Sequence, residues 1–397
     1  MSAFPFYCVI CESKIYVFLV SQDLYSRIDM KNKFINRIFP KRFDKYWKKI
    51  EDSKNIDDTL RHMTNSFINS NSYKLVSNYW HVLNIANYKS LSMFGMKKYG
   101  STIARNYYTF TKMYHDEWFD GAVNNLKDSP FKIDSIEIFK KQDGLTLEES
   151  ISYNYLCYLL FYNLKKTNTF QHINKLKDQT YLEFNDPYIK IDNINITTDK
   201  IASLLDYEKI HKAFDIKKFN KILEIGAGSG RTCEAILSIE KNLKYIICDI
   251  APAIYISYKR LKLAFPDKKI SLLIDVNDKT KLEEKIENSD IAFIFPHQLE
   301  ILNKNSLDLI LAIDCMHEMD KSTIQYYFKL FNHISKNFYF SIWSKTDVLH
   351  SKNILRKKNT LDYNAGDYKI PNNWENIFKE KIVFPSNMLA LGFKIKE

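Results

Sequence analysis

Three of the chain's nine glycines lie within five positions, at Gly226, Gly228 and Gly230. An apolar run at residues 221–225 precedes them, and a helix-compatible run follows. Glycine is needed where the backbone takes a positive φ, or where a ligand touches the main chain with no Cβ between them. A strand, a glycine-rich turn and a helix in this order therefore predict a ligand-binding loop.

The spacing of these glycines argues against two common phosphate-binding loops. A dinucleotide loop, G-x-G-x-x-G, would need Gly or Ala where this chain has Arg231. A P-loop would need Gly-Lys-Ser/Thr after a longer spacer, which is missing. The pattern is instead E-x-G-x-G-x-G, from Glu224 to Gly230. A second acid, Asp249, ends the next apolar run, where a carboxylate can accept hydrogen bonds from both hydroxyls of a ribose.

This pattern resembles the first motif of class I S-adenosylmethionine (SAM) methyltransferases, whose loop packs against the methionyl part of the cofactor. In that class the acid at the position of Glu224 lies behind the loop and holds the site in shape. A glycine-rich turn with no ligand is the alternative. The resemblance implies SAM as cofactor and assigns cofactor binding to Glu224, Gly226, Ala227, Gly228, Gly230, Asp249 and Ile250.

A second group of residues, in the segment IDCMHEM, could transfer a proton. Methyl transfer from a sulfonium requires mainly alignment with the nucleophile, but a hydroxyl acceptor also needs a base. Asp314, His317 and Glu318 are the candidate catalytic residues, and we expect His317 to be the base because it follows the fourth strand. His297, in FPHQ, is a second candidate. Lys321 excludes the metalloprotease motif H-E-x-x-H.

Alternating strands and helices must position these residues. The apolar pattern predicts strands at 221–226, 244–249, 307–314 and 338–343; runs at 270–274 and 291–295 compete for the third position, and runs at 382–384 and 392–395 complete the sheet. Helices are predicted at 231–239, 251–265 and 322–336. This order predicts an α/β fold with a mostly parallel, doubly wound sheet and ligands at the carboxyl ends of its strands. The glycine loop, Asp249, Asp314 and Trp343 all map to that edge.

The chain, 397 residues long, has room for a second domain. We predict a mainly helical N-terminal domain at 1–195, which binds the acceptor or forms a lid and offers a surface for a homodimer, before the SAM-binding domain at 196–397. Residues 1–25 fit a β-hairpin or an extended arm. Thr146 and Glu149 predict a capping box for a helix at 145–166. Its expected core stripe is Ile151, Tyr155, Leu159 and Tyr162.

The net charge of +11 is spread over the chain and concentrated only at residues 27–49. That segment predicts a helical surface with inward-facing aromatic side chains; a patch for anionic lipid or a pyrophosphate-linked acceptor is the alternative.

The C-x-x-C of Cys8 and Cys11 lacks a second ligand pair, so we predict no metal site. Without a membrane-spanning run or a signal peptide, the expected location is the cytoplasm, with peripheral contact at the inner face of the membrane as an option. Four single cysteines are expected to be small core residues: Cys157, Cys233, Cys248 and Cys315.

The blocks FIFPHQLEIL, SLDLILAIDCMHEM, FYFSIW and YKIPNNW look like successive blocks of the sugar O-methyltransferase family, over about residues 180–397. This resemblance implies methylation of a sugar hydroxyl during assembly of a capsule, lipopolysaccharide or other surface glycan, on a nucleotide-, lipid- or polymer-linked acceptor. The charged loop at 266–290 and the first seventy residues depart from the family's pattern. The resemblance places His317 and Glu318 near the acceptor and adds four substrate-binding candidates: His297, Trp343, Tyr368 and Trp374.

Three other functions stay open at this point. A nucleic-acid amino-methyltransferase would carry an Asp/Asn-Pro-Pro-Tyr/Phe motif, but NDPY at 185–188 lacks the first proline, so no nucleic-acid partner is expected. A catalytically silent binding module could keep the fold as a scaffold. A divalent metal could acidify the acceptor hydroxyl, although no ligand cluster demands one.

Overall fold

A computed structural model describes residues 7–10, 14–17, 56–103, 118–344 and 365–396. In chain order its strands are β1 (Tyr7–Ile10), β2 (Lys14–Val17), β3 (Ile189–Ile191), β4 (Ile194–Ile196), β5 (Lys221–Ile225), β6 (Lys244–Cys248), β7 (Ile270–Leu272), β8 (Ile291–Ile294), β9 (Leu309–Ile313), β10 (Asn337–Trp343), β11 (Trp374–Lys381) and β12 (Met388–Ile395). The pairs β1–β2 and β3–β4 each form a small antiparallel sheet. The other eight strands form one central sheet.

The central sheet has the order β11-β12-β10-β9-β5-β6-β8-β7. All neighbours are parallel except β12, which runs antiparallel to both β10 and β11. The predicted doubly wound, mostly parallel sheet is confirmed. Both runs that competed for the third strand are strands: β8 lies beside β6, and β7 forms the edge.

The α-helices flank this sheet and precede it. They are α1 (Asp58–Ile68), α2 (Asn78–Phe94), α3 (Tyr99–Thr102), α4 (Asp120–Leu126), α5 (Ser135–Ile138), α6 (Leu147–Lys165), α7 (Asp178–Glu183), α8 (Thr198–Ala213), α9 (Arg231–Ile239), α10 (Ala253–Ala264), α11 (Lys279–Glu287) and α12 (Lys321–Ile334). The predicted helices correspond to α9, α10 and α12, with ends shifted by up to two residues. Within the ranges that the structure describes, no helix is long and apolar enough to cross a membrane.

The central strands are mostly apolar because helices cover both faces of the sheet. Ile222 and Ile247 belong to the core on one face, whereas Leu223 and Ile246 belong to the core on the other. All five residues of β5 and all five of β9 are buried. Since these two strands are neighbours from distant parts of the chain, their carboxyl ends form the crevice where this type of sheet binds ligands.

Helix α6 begins with the predicted capping box. The hydroxyl of Thr146 accepts the backbone N–H of Glu149 at 3.1 Å, and the Glu149 carboxylate accepts the N–H of Thr146 at 2.8 Å. Of the predicted stripe, Leu159 is fully buried, and the other three members are partly buried and pack against the same core. Helix α6 is buried on nearly all sides, so one periodic stripe does not describe its core face.

The N-terminal helices share cores with the sheet. One cluster joins Leu60 and Tyr99 to Ile222 and Ile247, which lie on the other side of residue 195. A separate hydrophobic cluster joins α6 to Ala235, Trp343 and Met388. The division at residue 195 stays a prediction. The hairpin β1–β2 agrees with the expectation for residues 1–25. The basic segment 27–49 lies outside the described residues, and the side chains of the Cys8–Cys11 pair are not described.

A buried ion pair connects these two parts of the chain. Arg260 in α10 contacts Asp186, just after α7, with 2.7 Å between Nη1 and Oδ2, and both side chains are at most 1% exposed. The guanidinium also lies over the rings of Tyr99 and Tyr181, at 5.4 and 5.3 Å from their centroids. Burial raises the pKa of Asp186 to about 7, against the attraction of Arg260. Both charges are therefore kept out of water, and their direct contact offsets part of that cost.

Replacing Asp186 with asparagine should lower the free energy of unfolding by roughly 3 kcal/mol at pH 8, because the substitution removes the carboxylate that the buried guanidinium contacts. Denaturant titration at that pH measures the change. The matched control is Asp192→Asn, at an ion pair with Lys165 of similar length (2.8 Å) whose side chains are 37% and 55% exposed. Exposed pairs contribute little, so the control midpoint should barely move. Equal shifts in the two variants would contradict the structural role of the buried pair.

Candidate functional site

A cavity opens at the carboxyl ends of β5, β6, β9 and β10. Its lining includes residues 226–229 of the glycine loop, Asp249 and Ile250 after β6, Asp314 after β9, and Trp343 at the end of β10. These are the residues that the strand pattern placed at one edge of the sheet. The structure brings the loop and the candidate proton-transfer residues into one space.

The three glycines of the loop all have positive φ, but the space beside them differs. A Cβ on Gly226 would lie 2.7 Å from the Cβ of Cys315, so this residue is tightly packed. A Cβ on Gly230 would lie 3.1 Å from Ser257 of α10. A Cβ on Gly228 would meet no protein atom within 4 Å. Gly228 therefore presents bare main chain to the open cavity.

Asp249 contacts the loop directly. Its Oδ2 accepts the N–H of Gly228 at 2.8 Å, and its Oδ1 accepts the N–H of Ile250 at 2.7 Å. Burial raises the pKa of Asp249 to about 6, although both backbone donors favour the carboxylate form. Each carboxylate oxygen can accept a further hydrogen bond from a ligand.

Glu224 and Gly230 lie behind the cavity rather than in its lining. Glu224 is 2% exposed and accepts a hydrogen bond from the hydroxyl of Tyr245 at 2.9 Å. Burial raises its pKa to about 7, while the nearby Arg231 opposes that rise. Glu224 therefore lies behind the loop, where the resemblance places it, and Gly230 also lies outside the cavity lining. Both residues support the loop from behind.

Asp314 and His317 form a pair in which the carboxylate is much the more exposed partner. Their Oδ1 and Nε2 atoms are 3.5 Å apart, but the Asp314 side chain is 51% exposed and that of His317 only 3%. Asp314 has a φ of 55°, and its N–H donates to the hydroxyl of Ser341 at 3.0 Å. The ring of Trp343 lies edge-on to His317, with centroids 5.9 Å apart. Both residues line the cavity, and the carboxylate is the more exposed of the two.

The cavity raises the pKa of Asp314 to about 8. The larger cause is removal of the carboxyl from bulk water, since its exposed part faces the cavity rather than the protein surface. Repulsion from the Glu318 carboxylate raises the pKa further. Glu318 in turn accepts a hydrogen bond from the indole of Trp80 at 2.9 Å. Asp314 therefore changes its protonation state near neutral pH, which suits a general base.

Several cavity residues were missed by the sequence analysis. Helix α8 contributes Thr198, Asp199 and Asp206, and α2 contributes Trp80. Asp199 accepts a hydrogen bond from the hydroxyl of Ser229 in the loop at 3.0 Å. Polar side chains at the helical spacing 198, 199 and 206 were a usable signal for α8. No local pattern indicated Trp80.

Three predicted substrate-binding residues do not line this cavity. His297 lies at a separate cleft, where its ring nitrogens pair with Ser72 and Asn277 at 2.9 and 3.2 Å. Tyr368 and Trp374 are 1% and 6% exposed and belong to the aromatic core under one face of the sheet. The expectation that these three touch the acceptor is corrected, and Trp343 alone of the four lines the cavity.

The four single cysteines are buried, as predicted. Two of them, Cys248 and Cys315, follow or end strands of the central sheet and border the cavity. Over the described ranges, no group of three or more His, Cys, Asp or Glu side chains could hold a metal ion.

Comparison with known proteins gives structural likeness only. No family model matches the chain, and no curated protein matches it. Similar solved structures include the methyltransferase domain of bacterial CtHen1 (12% identity, 49% of this chain and 98% of that chain, TM-score 0.31). Others are PigF with SAH (15% identity, 59% and 69%, TM-score 0.31) and a mutant of MtNAS in complex with S-adenosylmethionine (9% identity, 86% and 98%, TM-score 0.35). At these TM-scores the likenesses add nothing to what the strand order establishes.

The strand order itself defines the class of fold. A glycine loop follows the first strand of the parallel sheet, and an antiparallel strand, β12, is inserted between β10 and β11. This is a Rossmann-like methyltransferase fold with a helical N-terminal region.

Proposed function

We propose that this protein is a SAM-dependent methyltransferase that acts on a sugar hydroxyl. One observation carries the proposal: Gly228 offers bare main chain to the cavity, directly beside the buried carboxylate of Asp249. SAM, when bound, supplies a methyl group already activated by its sulfonium. The cavity fits this cofactor because the loop leaves room for the methionyl part and Asp249 can accept hydrogen bonds from ribose hydroxyls.

The remaining cofactor contacts come from residues around the loop. Ala227 and Ser229 complete the loop, and Ile250 supplies an apolar contact beside Asp249. The wall opposite belongs to the start of α8, where Asp199 accepts the hydroxyl of Ser229 at 3.0 Å. A carboxylate at this wall can accept further hydrogen bonds, so it supports a ligand that carries a polar or cationic group on this side.

On the acceptor side, Asp314 removes the proton from the sugar hydroxyl. Its carboxylate faces the cavity, and its pKa near 8 makes it a competent base. His317 and Trp343 hold that carboxylate in position, so His317 is a positioning residue in this proposal. Glu318 lies close enough to Asp314 for its negative charge to raise the pKa of that carboxyl. The acceptor belongs to a surface glycan, as the sequence resemblance implies.

The rate of methyl transfer should rise with pH and level off above about pH 8, because a base with a raised pKa is protonated, and inactive, below it. Glu318→Gln should move this rise to lower pH, since it removes a repulsion that keeps Asp314 protonated. A pH profile of kcat for both proteins measures the shift. The glutamine keeps an oxygen for the indole of Trp80. A profile that is unchanged, or moved to higher pH, contradicts the assignment of the base.

The function is tested by mass spectrometry of cell-surface glycans with and without the gene. The expected result is one methyl group fewer on one sugar when the gene is absent. A complementary assay follows labelled methyl groups from SAM into cell extracts. If the glycans are unchanged and the label appears in RNA, the acceptor is a nucleic acid and not a sugar.

A further inference from the structure

One part of the cavity wall is apolar, and we call this part the apolar arm. This apolar arm is formed by Leu156, Leu160, Leu205, Val383, Phe384 and Met388. None of these side chains has a hydrogen-bonding N–H or O–H group. The segment around 382–384, expected from the sequence to be a strand, instead connects β11 to β12 and forms one wall.

The walls of the apolar arm are held by contacts outside it. The ring of Phe384 packs against Phe119, with centroids 5.0 Å apart. In the same connection, the hydroxyl of Ser386 lies 2.8 Å from the carbonyl of Trp118 and 2.6 Å from the N–H of Gly121. Leu156 and Leu160 come from the most buried helix, α6, and close the arm at its base. The arm is thus a built surface, supported by elements on every side.

The position of Trp343 relates the apolar arm to the reacting atoms. Along the sheet edge, the glycine loop follows β5, Asp314 follows the neighbouring β9, and Trp343 ends the next strand, β10. The ring of Trp343 lies 5.2 Å from that of Trp118, and its strand pairs with β12 at Met388. A hydroxyl beside Asp314 would therefore have the loop on one side and the apolar arm on the other.

We infer that the acceptor sugar is attached to an aliphatic chain, which occupies the apolar arm while its hydroxyl group meets Asp314. This inference rests on the proposed function and selects one of the three carriers left open by the sequence. A nucleotide or a further sugar would place hydroxyl or phosphate oxygens against these apolar side chains, which cannot pair with them. Lys209 and Arg231 line the same cavity, but they already contact Glu380 and Asp206 at 2.9 and 2.6 Å. An aliphatic chain gains free energy with each methylene removed from water.

The test uses n-alkyl β-glucosides with methyl, butyl and octyl chains, below their micelle concentrations. Calorimetry gives the affinity of each glucoside for the full-length protein, with and without bound S-adenosylhomocysteine. Octyl glucoside should bind at least roughly tenfold more tightly than methyl glucoside, since each buried methylene adds to the affinity. Leu205→Asn and Val383→Asn, on two different walls, should each reduce that ratio to below about threefold without changing the affinity for methyl glucoside.

The matched control is Leu182→Asn, on α7, whose side chain is 47% exposed outside the cavity; it should keep the full ratio. The inference is overturned if chain length changes the affinity less than about twofold, or if both arm variants keep the ratio of the native protein. Binding of S-adenosylhomocysteine in the same titrations reports separately on the proposed function. Its absence would remove the methyltransferase proposal, whereas a flat chain-length series would remove only the aliphatic carrier.

Discussion

Replacing Gly228 with valine is expected to lower the affinity for SAM at least about a hundredfold while the fold is kept, because a ligand that approaches bare main chain has no room for a side chain there. The Cβ position at residue 228 meets no protein atom within 4 Å, so the new side chain enters the cavity rather than the core. There it occupies the space that a ligand needs to reach the main chain beside Asp249. Calorimetry with SAM measures the loss, and circular dichroism and thermal unfolding report on the fold.

Backbone strain is the confounding effect in this experiment, because valine is unfavourable at a φ of +57°. Gly95 provides a matched control: its φ is +64°, a Cβ there also meets nothing within 4 Å, and it lies at the end of α2, outside the cavity lining. Gly95→Val should show a similar loss of thermal stability with undiminished SAM affinity. If Gly228→Val still binds SAM as tightly as the native protein, the site is elsewhere.

The sheet was predictable because its central strands are buried on both faces. Such strands read as continuous apolar runs, and this is why 221–226, 244–249 and 307–314 were located within one to two residues. Strand β11 was missed for the opposite reason. It is an edge strand whose residues alternate between exposed and partly buried, so its sequence WENIFKEK carries little apolar signal.

The site was predictable only where one short segment contains the whole arrangement. The glycine loop follows β5 and Asp249 follows β6, the next strand in the chain. The sequence motif therefore also predicts that the two lie side by side. Tyr368 and Trp374 were assigned by resemblance, but their rings belong to the core. Trp80 reaches Glu318 from a helix far earlier in the chain, and no local pattern records such a contact.

The roles of Asp314 and His317 could not be read from their spacing. His317 was favoured because it follows the fourth strand of the sheet. The structure places Asp314 in a left-handed backbone conformation that residue types other than glycine adopt less often. That conformation accompanies an exposed carboxylate and a buried imidazole. Side-chain direction at a strand end depends on this local geometry, which the sequence pattern does not specify.

Asp314→Asn should lower kcat by about 10²–10⁴-fold, the range expected for loss of a general base. Asparagine has nearly the same shape, and Asp314 is not among the residues proposed to bind SAM, so the affinity for SAM should be unchanged. The variant also removes the titrating group, and the rise of kcat toward pH 8 should disappear with it. Steady-state kinetics from about pH 6 to about pH 9 would separate this effect from a change in KM.

The control for this variant is Asp320→Asn, a nearby partly buried carboxylate that does not line the cavity and whose pKa is also raised by burial. It should keep both the rate and the pH profile. His317→Gln should lower kcat less than Asp314→Asn, because the imidazole acts only through the carboxylate that it contacts. If the histidine variant instead loses more activity and Asp314→Asn keeps the rise with pH, then His317 is the base, and the exposed carboxylate serves only to orient it.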